Sequence, residues 1–163
     1  MPKTTGKTAL DRIDRRILEQ LQADGRLTNQ ELAERVALSP SPCLRRVRAL
    51  EGAGVIRGYA ALLDPQAVGL GLLAYVTVKL EKRGKMPVDQ FTRAVESWPE
   101  VIACFSMTGD MDYLMRVQVE DLEHYSSFVM DRLLKQPGVI DIRTNFVLER
   151  IKETTVLPLD QLG

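Results

Sequence analysis

Thr28 to Gly54, TNQELAERVALSPSPCLRRVRALEGAG, reads as two helices joined by a connection of three residues. Thr28 can cap the first helix, and Glu31, three positions on, can reach back to complete a capping box. Leu32, Ala33 and Val36 give that helix one apolar face. Ala37, Leu38 and Ser39 form the connection. Ser39 suits an N-cap, and Pro40 suits the first helical position, where a missing N–H costs nothing. Pro42 still falls in the first turn, and Gly52 and Gly54 end the helix. Together with a preceding helix, two helices joined this closely make the minimal three-helix bundle of a helix-turn-helix domain.

The second helix has two faces. At about 100° per residue, Cys43, Leu44, Val47 and Leu50 cluster on one side. Ser41, Arg45 and Arg48 cluster on the other, with Arg46 beside the apolar edge. A helix that buries one face while presenting hydroxyl and guanidinium groups on the other suits the major groove of DNA. Arg can donate twice to guanine, and small hydroxyls and the helix N-terminus can hold phosphates. A plain αα-hairpin with a solvated basic face would show the same spacing.

Charge distribution supports the first reading. The net charge is zero, yet residues 1–63 carry eleven Lys and Arg against seven Asp and Glu, and the remainder carries eleven against fifteen. A basic front and an acidic back imply that only the front approaches a polyanion. The 163 residues suffice for one large domain or two small ones, and 45% hydrophobic content supports real cores. No run of roughly 18 apolar residues exists to span a membrane. The N-terminal MPKTTGKTALD lacks the apolar centre of a signal peptide. Cys43 and Cys104, the two cysteines, lie in apolar patterns, as expected of buried thiols in a reducing cytoplasm.

In chain order, Met1–Ala9 is polar and expected to fray. Asp11 can cap a helix in which Leu10, Ile13, Ile17 and Leu21 recur, with Asp24-Gly25 closing it. Val55–Leu63 is apolar and β-prone, a candidate wing that would bring Arg57 near a DNA backbone. Residues 1–63 therefore read as a winged helix-turn-helix domain, 64–71 (DPQAVGLG) as a hinge, and 72–163 as a second domain. There the period changes to that of strands: Val76, Val78 and Leu80 alternate with Thr77, Lys79 and Glu81. Lys82–Lys85 is a loop, and Pro87 opens a helix with Phe91, Val95 and Trp98 on one face. Val101–Met107 and Tyr113–Glu120 are strands flanking the turn Thr108–Asp112. Asp121 caps a helix lined by Tyr125, Phe128, Val129 and Leu133, and Val139–Ile151 is a long last strand. Strand, helix, strand, strand, helix, strand is the ferredoxin-like order, so the fold class is α+β. Two helices on one face of four antiparallel strands leave the other face, with Tyr75 and Leu114, in need of a partner.

The stretches LDRIDRRIL from Leu10, LTNQELAERVALSPSPCLRRVRALEGAGVIRGY from Leu27 and TGDMDYLM from Thr108 make the chain resemble the Lrp/AsnC family of leucine-responsive, or feast/famine, transcription regulators. The likeness covers residues 9–157 and keeps the family's domain order. It implies double-stranded DNA as partner, with contacts from Ser39, Ser41, Arg45, Arg46 and Arg48. It implies an ACT-like (RAM) second domain that dimerises and assembles into octamers or other multimers in the cytoplasm of a prokaryote, on the nucleoid. It implies a small effector, an amino acid such as leucine or methionine rather than a cofactor, held near Met107, Thr108, Gly109, Asp110, Asp112 and Tyr113. That turn is chemically apt: Gly109 admits a ligand carboxylate to backbone N–H groups, and Asp110 or Asp112 can accept from an ammonium. A hairpin turn whose Gly and Asp only meet backbone demands would look alike.

Other classes fare worse. One histidine, His124, no second cysteine nearby, no nucleophile elbow and no phosphate-cradling loop leave an enzyme or a metal site without its residues. An amino-acid sensor lacking DNA binding conflicts with the helix-turn-helix. An oligomeric sensor whose DNA binding is architectural and weakly specific is the alternative that keeps both domains. Phe105 and Tyr113 do not reproduce the aromatic pattern of RNA-binding sheets.

Overall fold

A computed structural model describes residues 10–81 and 86–162; the expectations for Met1–Ala9 and for the Lys82–Lys85 loop lie outside the described residues. The chain divides into two compact units. One takes the front of the chain through Ala61 together with the tail from Lys152, and the other is Leu62–Ile151. The expected second domain spans 72–163; of its tail, Leu159 and Leu162 add their side chains to the front core.

The front unit contains α1 (Arg12–Ala23), α2 (Asn29–Arg35) and α3 (Pro40–Gly52). Asp11 caps α1, accepting from the N–H groups of Ile13 at 2.9 Å and Asp14 at 2.8 Å. Asp14 reaches back to the Asp11 N–H at 3.2 Å, so the pair forms a capping box. Thr28 and Glu31 form the expected second box. Leu32, Ala33 and Val36 of the α2 segment are buried with Ile17, Leu18, Cys43 and Leu50. The Leu38 N–H closes α2 on the Ala33 carbonyl at 2.9 Å, a bond that requires a left-handed residue between them. Ala37 fills that place with φ of 57°, an unusual conformation for a residue with a Cβ. Asn29 Nδ2 donates to the Pro40 carbonyl at 2.9 Å and ties the starts of α2 and α3 together. Cys43, Val47 and Leu50 face the core as expected, but Leu44 is 36% exposed. It lies about 100° round the helix from Cys43, at the rim of the buried stripe.

The wing strand expected over 55–63 does not form. Val55 and Ile56 pack on the front core, while Tyr59, Leu62 and Leu63 are exposed. β-Propensity alone makes no ladder, and among the described residues this segment pairs with no strand.

The second unit contains β1 (Leu72–Leu80), α4 (Met86–Ser97), β2 (Val101–Ser106), β3 (Tyr113–Val119), α5 (Leu122–Phe128) continuing as a π-helical stretch (Val129–Leu133), and β4 (Val139–Phe146). The antiparallel sheet runs β2-β3-β1-β4, the ferredoxin-like order. Val76 lies opposite Met115 on one side and Thr144 on the other. One face buries Val76, Val78, Met115 and Val117 beneath Phe91, Trp98 and Phe128. The other carries Tyr75, Leu114 and Phe105, with Phe105 54% exposed. β4 stops at Phe146, short of Ile151. Beyond it the Val147 N–H donates to the Leu73 carbonyl at 3.0 Å, and Arg150 meets the Gln118 side-chain oxygen at 3.3 Å. The expected hinge, 64–71, is stitched to the same place. Gln118 Nε2 donates to the carbonyls of Leu70 at 2.7 Å and Leu72 at 3.1 Å, and the Gly71 N–H donates to Glu120 at 3.2 Å.

Candidate functional site

In α3, Ser39, Ser41, Arg45 and Arg48 are all exposed. Ser39 occupies the N-cap without a side-chain capping bond, so its hydroxyl is not used to end the helix. Among the described residues, Arg45 and Arg48 have no ion pair. The face opposite Cys43, Val47 and Leu50 thus presents two guanidinium groups and a hydroxyl to solvent, which is the chemistry of a groove-reading helix.

Arg46 has a different place from the one expected of a DNA contact. Its Nη1 donates to Asp11 Oδ2 and Asp14 Oδ1, each at 2.8 Å. The Asp14 side chain is 14% exposed, so this is a half-sheltered clamp between α1 and α3. The Asp14 backbone N–H, with help from the Arg46 guanidinium, holds the Asp11 carboxyl below its ordinary range against the opposing effect of burial. The two carboxylates in turn raise the Arg46 guanidinium, Asp14 first. A cation engaged by two carboxylates is a poor donor to phosphate or base. The periodicity of α3 put Arg46 on the border of both faces, and the carboxylates decide which it joins.

In the second unit, the turn between β2 and β3 is held by Asp112. Its N–H donates to Val78 at 3.0 Å, its carbonyl accepts from Met107 at 2.8 Å, and its Oδ2 accepts from the Leu80 N–H at 2.8 Å. Beside it lies an open cavity of about 260 Å³ lined by Leu80, Glu81, Val88, Ser106, Met107, Asp112 and Tyr113. Three of the six residues expected at an effector site, Met107, Asp112 and Tyr113, line it. Thr108, Gly109 and Asp110 stand outside that lining, exposed at the tip of the turn. Gly109 has φ of 109° with open space where a Cβ would sit, so the backbone conformation there calls for glycine although packing does not. Tyr113 packs its ring on Phe91 at 4.8 Å, and burial pushes its hydroxyl up from the ordinary value. Leu80, Glu81, Val88 and Ser106 were not expected. The pairings Val78–Tyr113 and Ser106–Tyr113 bring the first two and the last to the turn, and they follow from the strand order rather than from any motif.

Set beside known proteins, residues 10–57 match a winged helix-turn-helix DNA-binding domain, and residues 73–157 match the Lrp/AsnC ligand binding domain. The leucine-responsive regulatory protein of Escherichia coli K12 is 45% identical over 155 residues, covering 95% of this chain and 94% of that one. The crystal structure of a Neisseria meningitidis transcriptional regulator in complex with L-Met superimposes with a TM-score of 0.91 at 52% identity, covering 94% of this chain and 99% of that one. An AsnC family transcriptional regulator from Agrobacterium tumefaciens gives 0.88 at 39% identity, over 94% and 100%. The two units together therefore define a DNA-binding transcriptional regulator with a ligand-binding rear domain, not an enzyme. The chain belongs to the Lrp/AsnC family. Among the described residues, no helix is long and apolar enough to cross a membrane.

Proposed function

We propose that the chain binds specific duplex sites through α3, with Ser39, Ser41, Arg45 and Arg48 at the DNA, and that an amino acid with an aliphatic side chain, such as methionine or leucine, controls this binding from the cavity beside Asp112. The observation that carries the DNA reading is the exposure of Arg45 and Arg48 on the face opposite the buried stripe of α3. Arg46 serves that reading indirectly, by fixing α3 on α1. Each base-reading Arg contributes about 1–3 kcal/mol of discrimination. Arg45→Ala and Arg48→Ala together abolish specific gel-shift binding while the protein stays folded and assembled. Unchanged affinity for the cognate site overturns the assignment. Affinity also falls steeply with added salt.

The effector reading draws on the wall chemistry. Leu80, Val88 and Met107 suit an aliphatic chain, while Glu81 and the second oxygen of Asp112 suit an ammonium. The meningococcal regulator was crystallised with L-Met, which favours the same ligand class here. Calorimetric titration with L-Met and L-Leu tests it. Val88 is 39% exposed, so Val88→Trp narrows the cavity without touching the core. Retention of full ligand affinity in that variant moves the site elsewhere. The exposed face with Tyr75, Phe105 and Leu114 supports a dimer, and dimers assemble further into octamers or other multimers in the cytoplasm. Sedimentation with and without the amino acid reads the linkage between ligand and assembly.

A further inference from the structure

The end of the chain has no periodicity, yet it occupies a built seat on α1. Gln22 holds Leu157 as a neighbouring strand would: its Nε2 donates to the Leu157 carbonyl at 3.1 Å, and its Oε1 accepts from the Leu157 N–H at 2.7 Å. Arg15 holds the other end. Its Nη1 donates to the Leu162 carbonyl at 3.1 Å, its Nη2 to Asp160 at 2.9 Å, and its Nε to Glu19 at 2.7 Å. Arg15, Glu19 and Gln22 fall within roughly 60° of one another on the helix, so they form a single row. Between the two polar anchors, the Leu162 N–H turns back on the Leu159 carbonyl at 2.9 Å, and both leucine side chains join the front core. Two backbone bonds, a charged fork and two half-buried leucines make a specific complex of a helix with a short peptide.

We propose that α1 is a docking surface for the chain's own segment from Leu157 to Leu162, and that the docked tail positions the recognition helix. The second half of this statement rests on the DNA reading above. The route is short. The tail grips Arg15; its neighbour Asp14 and the cap Asp11 grip Arg46; Arg46 lies between Arg45 and Val47 on α3. A loosened α1 leaves Arg46 without a fixed anchor, and α3, which carries Arg45 and Arg48, loses its setting on α1.

Hydrogen exchange across α1 tests the docking without any DNA. The full chain is compared with a variant ended after Thr155, and with a full-length Leu159→Ser/Leu162→Ser variant in case the shortened chain does not fold. The amides of α1 exchange about tenfold faster in either variant. Exchange equal to that of the parent chain overturns the docking. Protection of α1 that grows with protein concentration gives the seat to the tail of a second copy and overturns the intrachain clasp. DNA affinity is then measured for the same proteins, with a loss of about tenfold expected. Equal affinity, in a parent chain that binds its site, overturns the hold on α3 and leaves the docking standing. A parent chain that binds no site overturns the DNA reading instead.

Discussion

In the rear unit, Phe91 meets Trp98 and Tyr113, and Trp98 meets Phe128, all beneath an antiparallel sheet. The front core has aliphatic side chains and Cys43, and it is small enough that helix ends carry much of its order. There, two capping boxes, the Arg46 clamp and the docked tail fix three short helices. The contrast shows two ways of presenting a functional surface. A rear unit with a deep interior can use a turn at its edge for a ligand. In the front unit α3 buries only the stripe of Cys43, Val47 and Leu50, and polar bonds at its rim add to that packing in joining it to α1.

The contrast breaks most sharply at Phe91. Phe91→Ala removes the ring that touches both Trp98 and Tyr113, at a cost of about 3–5 kcal/mol. Chemical denaturation followed at Trp98 measures it, and a loss below about 1 kcal/mol contradicts the picture of a single aromatic interior. In the front unit, Arg46→Ala leaves the half-sheltered Asp14 without its cation and lowers stability by about 1–3 kcal/mol. Its effect on DNA affinity follows from that loss, and a variant of native stability that no longer binds DNA returns Arg46 to the interface.

Acid separates the two units next. The Asp11 carboxyl lies below its ordinary value of 3.8 in the folded chain. The ionised form therefore contributes stability that is complete above that value and is lost as pH falls through the lowered one. Asp11→Asn keeps a good N-cap but no charge. The variant is less stable near neutrality and less sensitive to acid below about pH 4, as pH-dependent melting of the front helices would show. The smallest effect is at Ala37. Relief of its left-handed backbone, less the greater freedom of an unfolded glycine, leaves Ala37→Gly more stable by about 0.5–1 kcal/mol. A lower melting temperature in that variant refutes the strain.

What the sequence reveals of this molecule depends on distance along the chain. The caps at Asp11 and Thr28 are legible because both partners of each box lie three residues apart. Cys43, Val47 and Leu50 are legible because one helix sets their angle. Arg46 is not, because its fate is decided by carboxylates 32 and 35 residues away. The cavity walls at Leu80, Glu81 and Ser106 come together through strand pairing and Val88 comes from α4, while the motif drew attention to Thr108, Gly109 and Asp110 at the exposed tip. The strand order itself is legible, since alternation and turn residues mark each β segment. The conformation of 55–63 is not, because a β-prone sequence does not supply the neighbour a strand needs. The tail is least legible of all. Its seat on Gln22 is 135 residues distant, and nothing in VLPLDQLG announces a partner.

Ala37 has one more implication. Alanine and glycine codons differ at a single base, so a relaxed version of the α2–α3 corner is one base substitution away. A lineage moving to warmer surroundings would hold a route to a firmer helical corner that alters neither the exposed face of α3 nor the cavity beside Asp112.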